Sequence, residues 1–241
     1  MTGQSNGRSE DELRRIRRYF STAAGSWSRW QTGRSFLVDE RHELFMRAVR
    51  TFVQRDVPSI SICDVGCGRG DDLMFWRDAG VPTAALAGTE AAAASAQEAT
   101  ANVPGADVRL VDSFELPFED GRFLVTTASL VLSTILDPGL RRLLFQEMVR
   151  VTAPGGAVLV YDFRVRKPTN RNVAAMDRRR ATLLGGPPDA SWRAAPFLPA
   201  LPAVLRMPER LRRMAMAMLP RTHVLYAWRR GSAAARAVDT V

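Results

Sequence analysis

Lysine is almost missing from this 241-residue chain: Lys167 stands alone among 34 basic residues, and the others are arginine. Cysteine and histidine are equally scarce, with only Cys63, Cys67, His42 and His223. Two cysteines build no disulfide framework. With two histidines they offer no metal-ligand cluster, so no metal is expected. No apolar run approaches the ~18 residues that a membrane helix needs. The opening stretch MTGQSNGRSEDELRRIRRYF is polar and lacks the apolar segment of a secretory signal. These absences point to a reduced, cytoplasmic protein without a membrane span.

What is present is a chain long enough for one sizeable α/β domain, 46% hydrophobic. Its net charge is +9, with arginines grouped at 14–18, 178–180, 210–213 and 229–230. Such charge suits nucleic acid, an anionic membrane surface or an anionic substrate. It also follows from a coding bias toward Arg, Ala and Gly. No aromatic interleaving or RNA-binding module accompanies the arginines, so nucleic acid is disfavoured. Coding bias is the plainer reading of the charge; the partner expected is a small molecule, an anionic one being the alternative that the charge allows, for a monomer or homodimer.

Periodicity divides the chain. Residues 1–12 read as a disordered tail, with a helix opening near SEDELRRIRRYF and another over about 37–55. Through 57–165, apolar β runs (SISICDVG, TAALAGTE, ADVRLVD, FLVTTASLVL, AVLVYDFRV) alternate with helical stretches. That alternation argues a doubly wound, mostly parallel sheet. Residues 166–220 read as an insertion or cap, in which RRRATLLGG and PERLRRMAMAML suggest helices and SWRAAPF a strand. RTHVLYAWRR, near 221–231, reads as the last strand.

The glycine-rich turn CDVGCGRGDDL joins the first strand to a helix. Asp71 stands where a dinucleotide fingerprint needs its third glycine, and a P-loop's Gly-Lys-Ser/Thr is absent. A phosphate at that helix start would meet the carboxylates of Asp71 and Asp72. S-adenosylmethionine carries a sulfonium and an ammonium instead of phosphate, and suits acids there. Gly66, Gly68 and Gly70 let backbone approach such a ligand, with Asp64 and Cys67 beside them. Glu90, at the end of the second strand with Ala91 behind it, can accept from both ribose hydroxyls. Asp112 and the Ser113 N–H can meet the adenine.

In order, ICDVGCGRG, LAGTE, VDSFELPFEDGRFLVTTASLVL and VRVTAPGGAVLVYDF resemble the motifs of class I S-adenosylmethionine-dependent methyltransferases of the ubiquinone/menaquinone type. The resemblance covers about 60–165 and implies a Rossmann-like, seven-stranded sheet with an antiparallel last strand. STILDPGLRR, YDFRVRKPTNRNV and RTHVL are further similar to a bacterial subgroup associated with glycan and secondary-metabolite biosynthesis. Two departures stand out. Leu124 follows Phe123 where many members carry Asp, and no histidine lies between Ser129 and Ser133. The second departure leaves a histidine base on that strand exit without a candidate.

The expected reaction is methyl transfer to a hydroxyl or amine of a sugar, glycan precursor or secondary metabolite. RNA methylation and a catalytically silent cofactor-binding subunit are the alternatives. Asp162 and His223 are the candidate bases; a salt bridge to Arg164 is an equal reading of Asp162, and a packed strand histidine is the plainer reading of His223. Ser129 is placed with the cofactor. Tyr19, Trp30, Ser133, Tyr161 and Arg164 are placed around the acceptor, under a lid formed by the helices of 13–56.

Overall fold

The computed structural model describes residues 2–27, 31–166, 170–196, 203, 206–218 and 220–231. Seven strands form one sheet in the order β3-β2-β1-β4-β5-β7-β6. They are β1 (Ile62–Val65), β2 (Leu86–Glu90), β3 (Asp107–Leu110), β4 (Phe123–Ser129), β5 (Thr152–Phe163), β6 (Ala190–Pro196) and β7 (Arg221–Arg229). All pairings among β1 to β5 are parallel, and β7 runs antiparallel to both β5 and β6. The antiparallel last strand is as expected. The strand foreseen at SWRAAPF is β6, so the stretch expected as a cap supplies an edge of the sheet itself.

The helices are α1 (Thr2–Trp27), α2 (Gln31–Phe52), α3 (Asp71–Asp78), α4 (Ala93–Asn102), α5 (Pro138–Val151), α6 (Arg178–Gly185) and α7 (Glu209–Met218). Residues 2–12, expected to be disordered, are the first turns of α1. The acid-then-base order of this stretch lets Asp11 pair with Arg14, and Glu12 with Arg15, one turn apart.

Central strands buried on both faces must be apolar on both, and β5 shows why the core divides in two. Val158 and Val160 face a cluster with Leu144, Phe145 and Met148 of α5, while Leu159 and Tyr161 face one with Phe45 and Val49 of α2 and Trp76 of α3. Leu13 of α1 joins the first cluster. The five parallel strands deliver their carboxyl ends to one edge. β7 begins at that edge, since Phe163 pairs with His223. In such sheets ligands bind in the crevice outside this edge.

β4 ends one residue before the sharp bend foreseen by no pattern. Leu130 has φ 61°, a left-handed conformation uncommon outside glycine, and its N–H donates to the Tyr161 carbonyl at 2.7 Å. The chain then tightens into a 3-10 turn at Leu132–Thr134.

Candidate cofactor and active site

The glycine loop follows β1 and ends on α3, whose N-cap is the left-handed Gly70. Gly66 also has positive φ, 68°, and a Cβ there would sit 2.6 Å from Val131 Cγ2. Gly68, at φ 56°, differs: nothing lies within 4 Å of its Cβ position. Gly66 is therefore needed for packing, while Gly68 borders open space. Cys67 is held inward, its N–H donating to Thr89 O at 3.0 Å. Gly88 makes room for its sulfur, which would lie 2.9 Å from a Cβ at that position. Burial pushes the Cys67 thiol well above its usual pKa, an inert filler rather than a nucleophile.

Glu90 closes the loop from the neighbouring strand. Its Oε2 accepts from Gly68 N–H at 2.9 Å, and Oε1 accepts from the N–H groups of Ala91 and Ala92 at 2.8 and 2.9 Å. The carboxylate is thus oriented without any cation, with lone pairs left for further donors. Asp112 is exposed beyond β3, and the Ser113 hydroxyl donates to Glu115 O at 3.4 Å. Across this ground runs α1. Its Arg17 donates to the carbonyls of Ala91 and Val111 at 2.8 and 3.1 Å. Arg15 reaches Thr134 O, and Glu12 accepts from Leu136 N–H. The helix is stitched over the ends of β2, β3 and β4.

Three acids lie around the loop, and two are buried beside one another. Asp64 accepts from Thr127 Oγ1 at 2.6 Å. Burial, reinforced by the Asp72 carboxylate, pushes Asp64 well above the usual carboxylate range. Asp72, in the first turn of α3, is 3% exposed. Its Oδ1 accepts from Arg41 Nη2 at 2.6 Å and meets His42 Nε2 at 2.8 Å, and its Oδ2 accepts from Ser129 Oγ at 2.6 Å. Burial alone would raise Asp72. The Arg41 charge and the bonds from His42 and Ser129 outweigh it and hold the carboxyl below its ordinary range. An ionised carboxylate only accepts, so the His42 proton belongs on Nε2. That leaves Nδ1 as the basic nitrogen of a partly exposed ring, stacked 3.9 Å from Phe75 at 11°.

Arg41, His42 and Asp72 were not among the site residues expected from the sequence. His42 is one of only two histidines, the single hint available. Its partner lies 30 residues away on another helix.

The two expected bases sit elsewhere and do other work. Asp162 is fully buried, with Oδ2 accepting from Ser133 N–H and Oδ1 from Phe163 N–H, both at 2.8 Å. Burial pushes its pKa up to about 6 against those bonds. It ties β5 to the 3-10 turn and offers no exposed oxygen. Arg164 makes no bridge to it, because its guanidinium donates to Arg221 O at 2.8 Å. His223 is buried, stacked near Tyr161 and Phe163, and burial lowers it to about 4. A base needs access, which neither group has. Ser133 and Tyr161 are likewise buried. Tyr161 Oη and Arg41 Nε have no hydrogen-bond partner among the described residues. Tyr19 Oη accepts from Asn170 Nδ2 at 2.9 Å. Trp30 lies outside the described residues.

Residues 62–156, from β1 through the glycines of β5, match a family model described as a methyltransferase domain. The fold and the loop chemistry agree with it. This segment carries that family's methyltransferase domain. Among curated proteins the chain is similar to a demethylmenaquinone methyltransferase of Renibacterium salmoninarum, 31% identical over 107 residues, 44% of this chain and 43% of that protein. The chain thus spans less than half the length of that relative. A methyltransferase structure from Thermotoga maritima superposes with a TM-score of 0.59 at 13% identity, covering 89% of this chain and 99% of that one. Geranyl diphosphate C-methyltransferase from Streptomyces coelicolor A3(2), solved with S-adenosyl-L-homocysteine, Mg2+ and geranyl diphosphate, gives 0.55 at 17% identity, covering 79% and 78%. At these identities both show the shared fold. Among the described residues no group of three His, Cys, Asp or Glu side chains could hold a metal ion, and no helix is long and apolar enough to cross a membrane.

Proposed function

We propose that the chain transfers a methyl group from S-adenosylmethionine to a hydroxyl of a small molecule. The observation that carries this reading is the Gly68–Glu90 arrangement: an acid fixed at the end of β2, 2.9 Å from the N–H of a glycine that borders open space. The residues fit the cofactor. Glu90 would accept from the ribose hydroxyls, with Asp112 and the Ser113 N–H at the adenine. The glycine loop would pass close to the methionine part, near Asp64 and Ser129. Asp64, its pKa raised by burial and by the Asp72 carboxylate, would lie beside the cofactor's positive charge, which favours its ionised form. S-adenosylmethionine supplies a methyl already activated on a sulfonium.

A hydroxyl must lose its proton as it attacks. His42 is the base proposed here in place of Asp162 and His223. Asp72 fixes its tautomer and Phe75 its plane. That pair is also why a hydroxyl is preferred over an amine, which reacts from its neutral form without a base. α1 would roof the crevice and exclude water, the lid role expected for 13–56. The acceptor class, a sugar, glycan precursor or secondary metabolite, belongs to the same proposal.

Turnover of methyl-labelled S-adenosylmethionine with hydroxyl-bearing and amine-bearing acceptors tests the reading. With a hydroxyl acceptor, His42→Gln should lower kcat by roughly 10²–10⁴-fold while binding of S-adenosylhomocysteine is kept. Transfer to amines alone, indifferent to His42→Gln, would replace the hydroxyl reading with an amine one.

A further inference from the structure

Among the described residues, an exposed apolar stripe lies away from the core, on α7. Leu211, Met214 and Met218 are 56%, 64% and 83% exposed. Spaced by three and four, they form a single stripe along the helix. Arg210 and Arg212 accompany that stripe, and Glu209 is the helix's only acid. Large apolar side chains left in water this way need a reason.

The sheet fixes the two points between which α7 lies. The chain leaves the sheet at Pro196 and returns at Arg221, and these two residues are paired. Both lie at the carboxyl edge, beside the end of β5. The segment carrying α7 therefore emerges at the mouth of the crevice. Val165, just past β5 on that edge, is also 41% exposed.

We propose that α7 docks the protein onto an anionic bilayer surface, lying flat with Leu211, Met214 and Met218 in the headgroup boundary and its arginines on the lipid phosphates. Basic amphipathic helices of this kind bind by buried apolar area plus attraction to anionic lipid. Charge complementarity selects this occupant. A second copy would bring another arginine-flanked helix and another +9 charge against the first. Three side chains on one helix also fall far short of the ~800 Å² per partner of a stable protein interface. Nucleic acid would use the arginines and leave the stripe exposed. Docking would hold the crevice mouth at the membrane, where an acceptor embedded by an apolar tail would meet it. The docking itself does not depend on methyl transfer.

Vesicle flotation of the full chain tests this, with phosphatidylcholine alone and mixed with phosphatidylglycerol. Anionic vesicles should bind the protein on the order of tenfold better than neutral ones, and salt should weaken the binding. The triple variant Leu211→Gln, Met214→Gln, Met218→Gln should no longer float. It should keep the wild-type melting temperature, since those side chains are already in water. Arg210→Gln with Arg212→Gln should lose the anionic preference and retain residual binding. Absence of wild-type flotation, or flotation unaffected by the triple variant, would overturn the proposal. So would a solution dimer that the triple variant dissolves, which would assign the stripe to a second copy.

Discussion

Asp72 and Asp162 lie along the same edge of the sheet, both enclosed, and their surroundings drive them in opposite directions. Around Asp72, the Arg41 guanidinium and the His42 ring from α2 converge with the Ser129 hydroxyl, and the carboxyl stays below its usual range. Around Asp162, two backbone N–H groups and the neighbouring Ser133 side chain do not outweigh its burial, and its pKa climbs to about 6. Place in the fold made Asp162 look functional. Partners and access decide otherwise: the Asp72 region is a charged constellation reaching solvent through His42, and the Asp162 region is a clamp.

Breaking the first region should cost most. Asp72→Ala strands the Arg41 guanidinium, only 12% exposed. Loss of one partner of a buried pair costs about 3–5 kcal/mol, readable by denaturant unfolding, and methyl transfer should fall with it. Equal stability of Asp72→Ala and wild type would show that Arg41 and Asp72 do not form the pair described.

Titration sharpens the contrast. Asp162, raised from 3.8 to about 6, contributes stability that is present below pH 3.8 and lost as pH rises through about 6. The difference in unfolding free energy between wild type and Asp162→Ala should therefore shrink as pH rises from 4 to 6, by on the order of 3 kcal/mol. His223 runs the other way. Lowered from 6.5 to about 4, it makes the native state resist protonation, so its contribution is lost as pH falls through that window. His223→Phe should remove an acid-side loss of similar size. A pH-independent difference for either variant would contradict the burial that sets these shifts.

The smallest effect on catalysis belongs to the clamp itself at neutral pH. Asp162→Ala leaves two backbone donors unsatisfied, about 1–3 kcal/mol each. Thermal unfolding should show the loss, while kcat per folded molecule stays within roughly tenfold of wild type. A collapse of kcat by the margin expected for His42→Gln would return Asp162 to the chemistry.

The parts legible from sequence were those set by local rules. Alternating β runs and helical stretches gave the parallel core, and turn chemistry gave the loop of Gly66 to Gly70. Glu90 followed from its place at the end of the second strand, about 20 residues past the glycine loop. What stayed hidden depends on packing between distant segments. His42 meets Asp72 only because α2 crosses α3 with Phe45 near Trp76, centroids 6.1 Å apart. The turn at Leu130 has no glycine to announce it. The seating of α1 across β2 and β3 rests on Arg17 reaching two carbonyls, a contact that no pattern of side chains along the chain encodes. Polar residues at strand ends, Asp162 among them, read alike until their partners are seen.

The central claim is that the crevice beside the glycine loop holds an adenosyl cofactor through Glu90. Titration calorimetry with S-adenosylhomocysteine tests it most directly. The account predicts saturable one-site binding, weakened by roughly 1.5–3 kcal/mol in Glu90→Ala, and no binding of NAD. Tight NAD binding, or an S-adenosylhomocysteine affinity unchanged in Glu90→Ala, would contradict it.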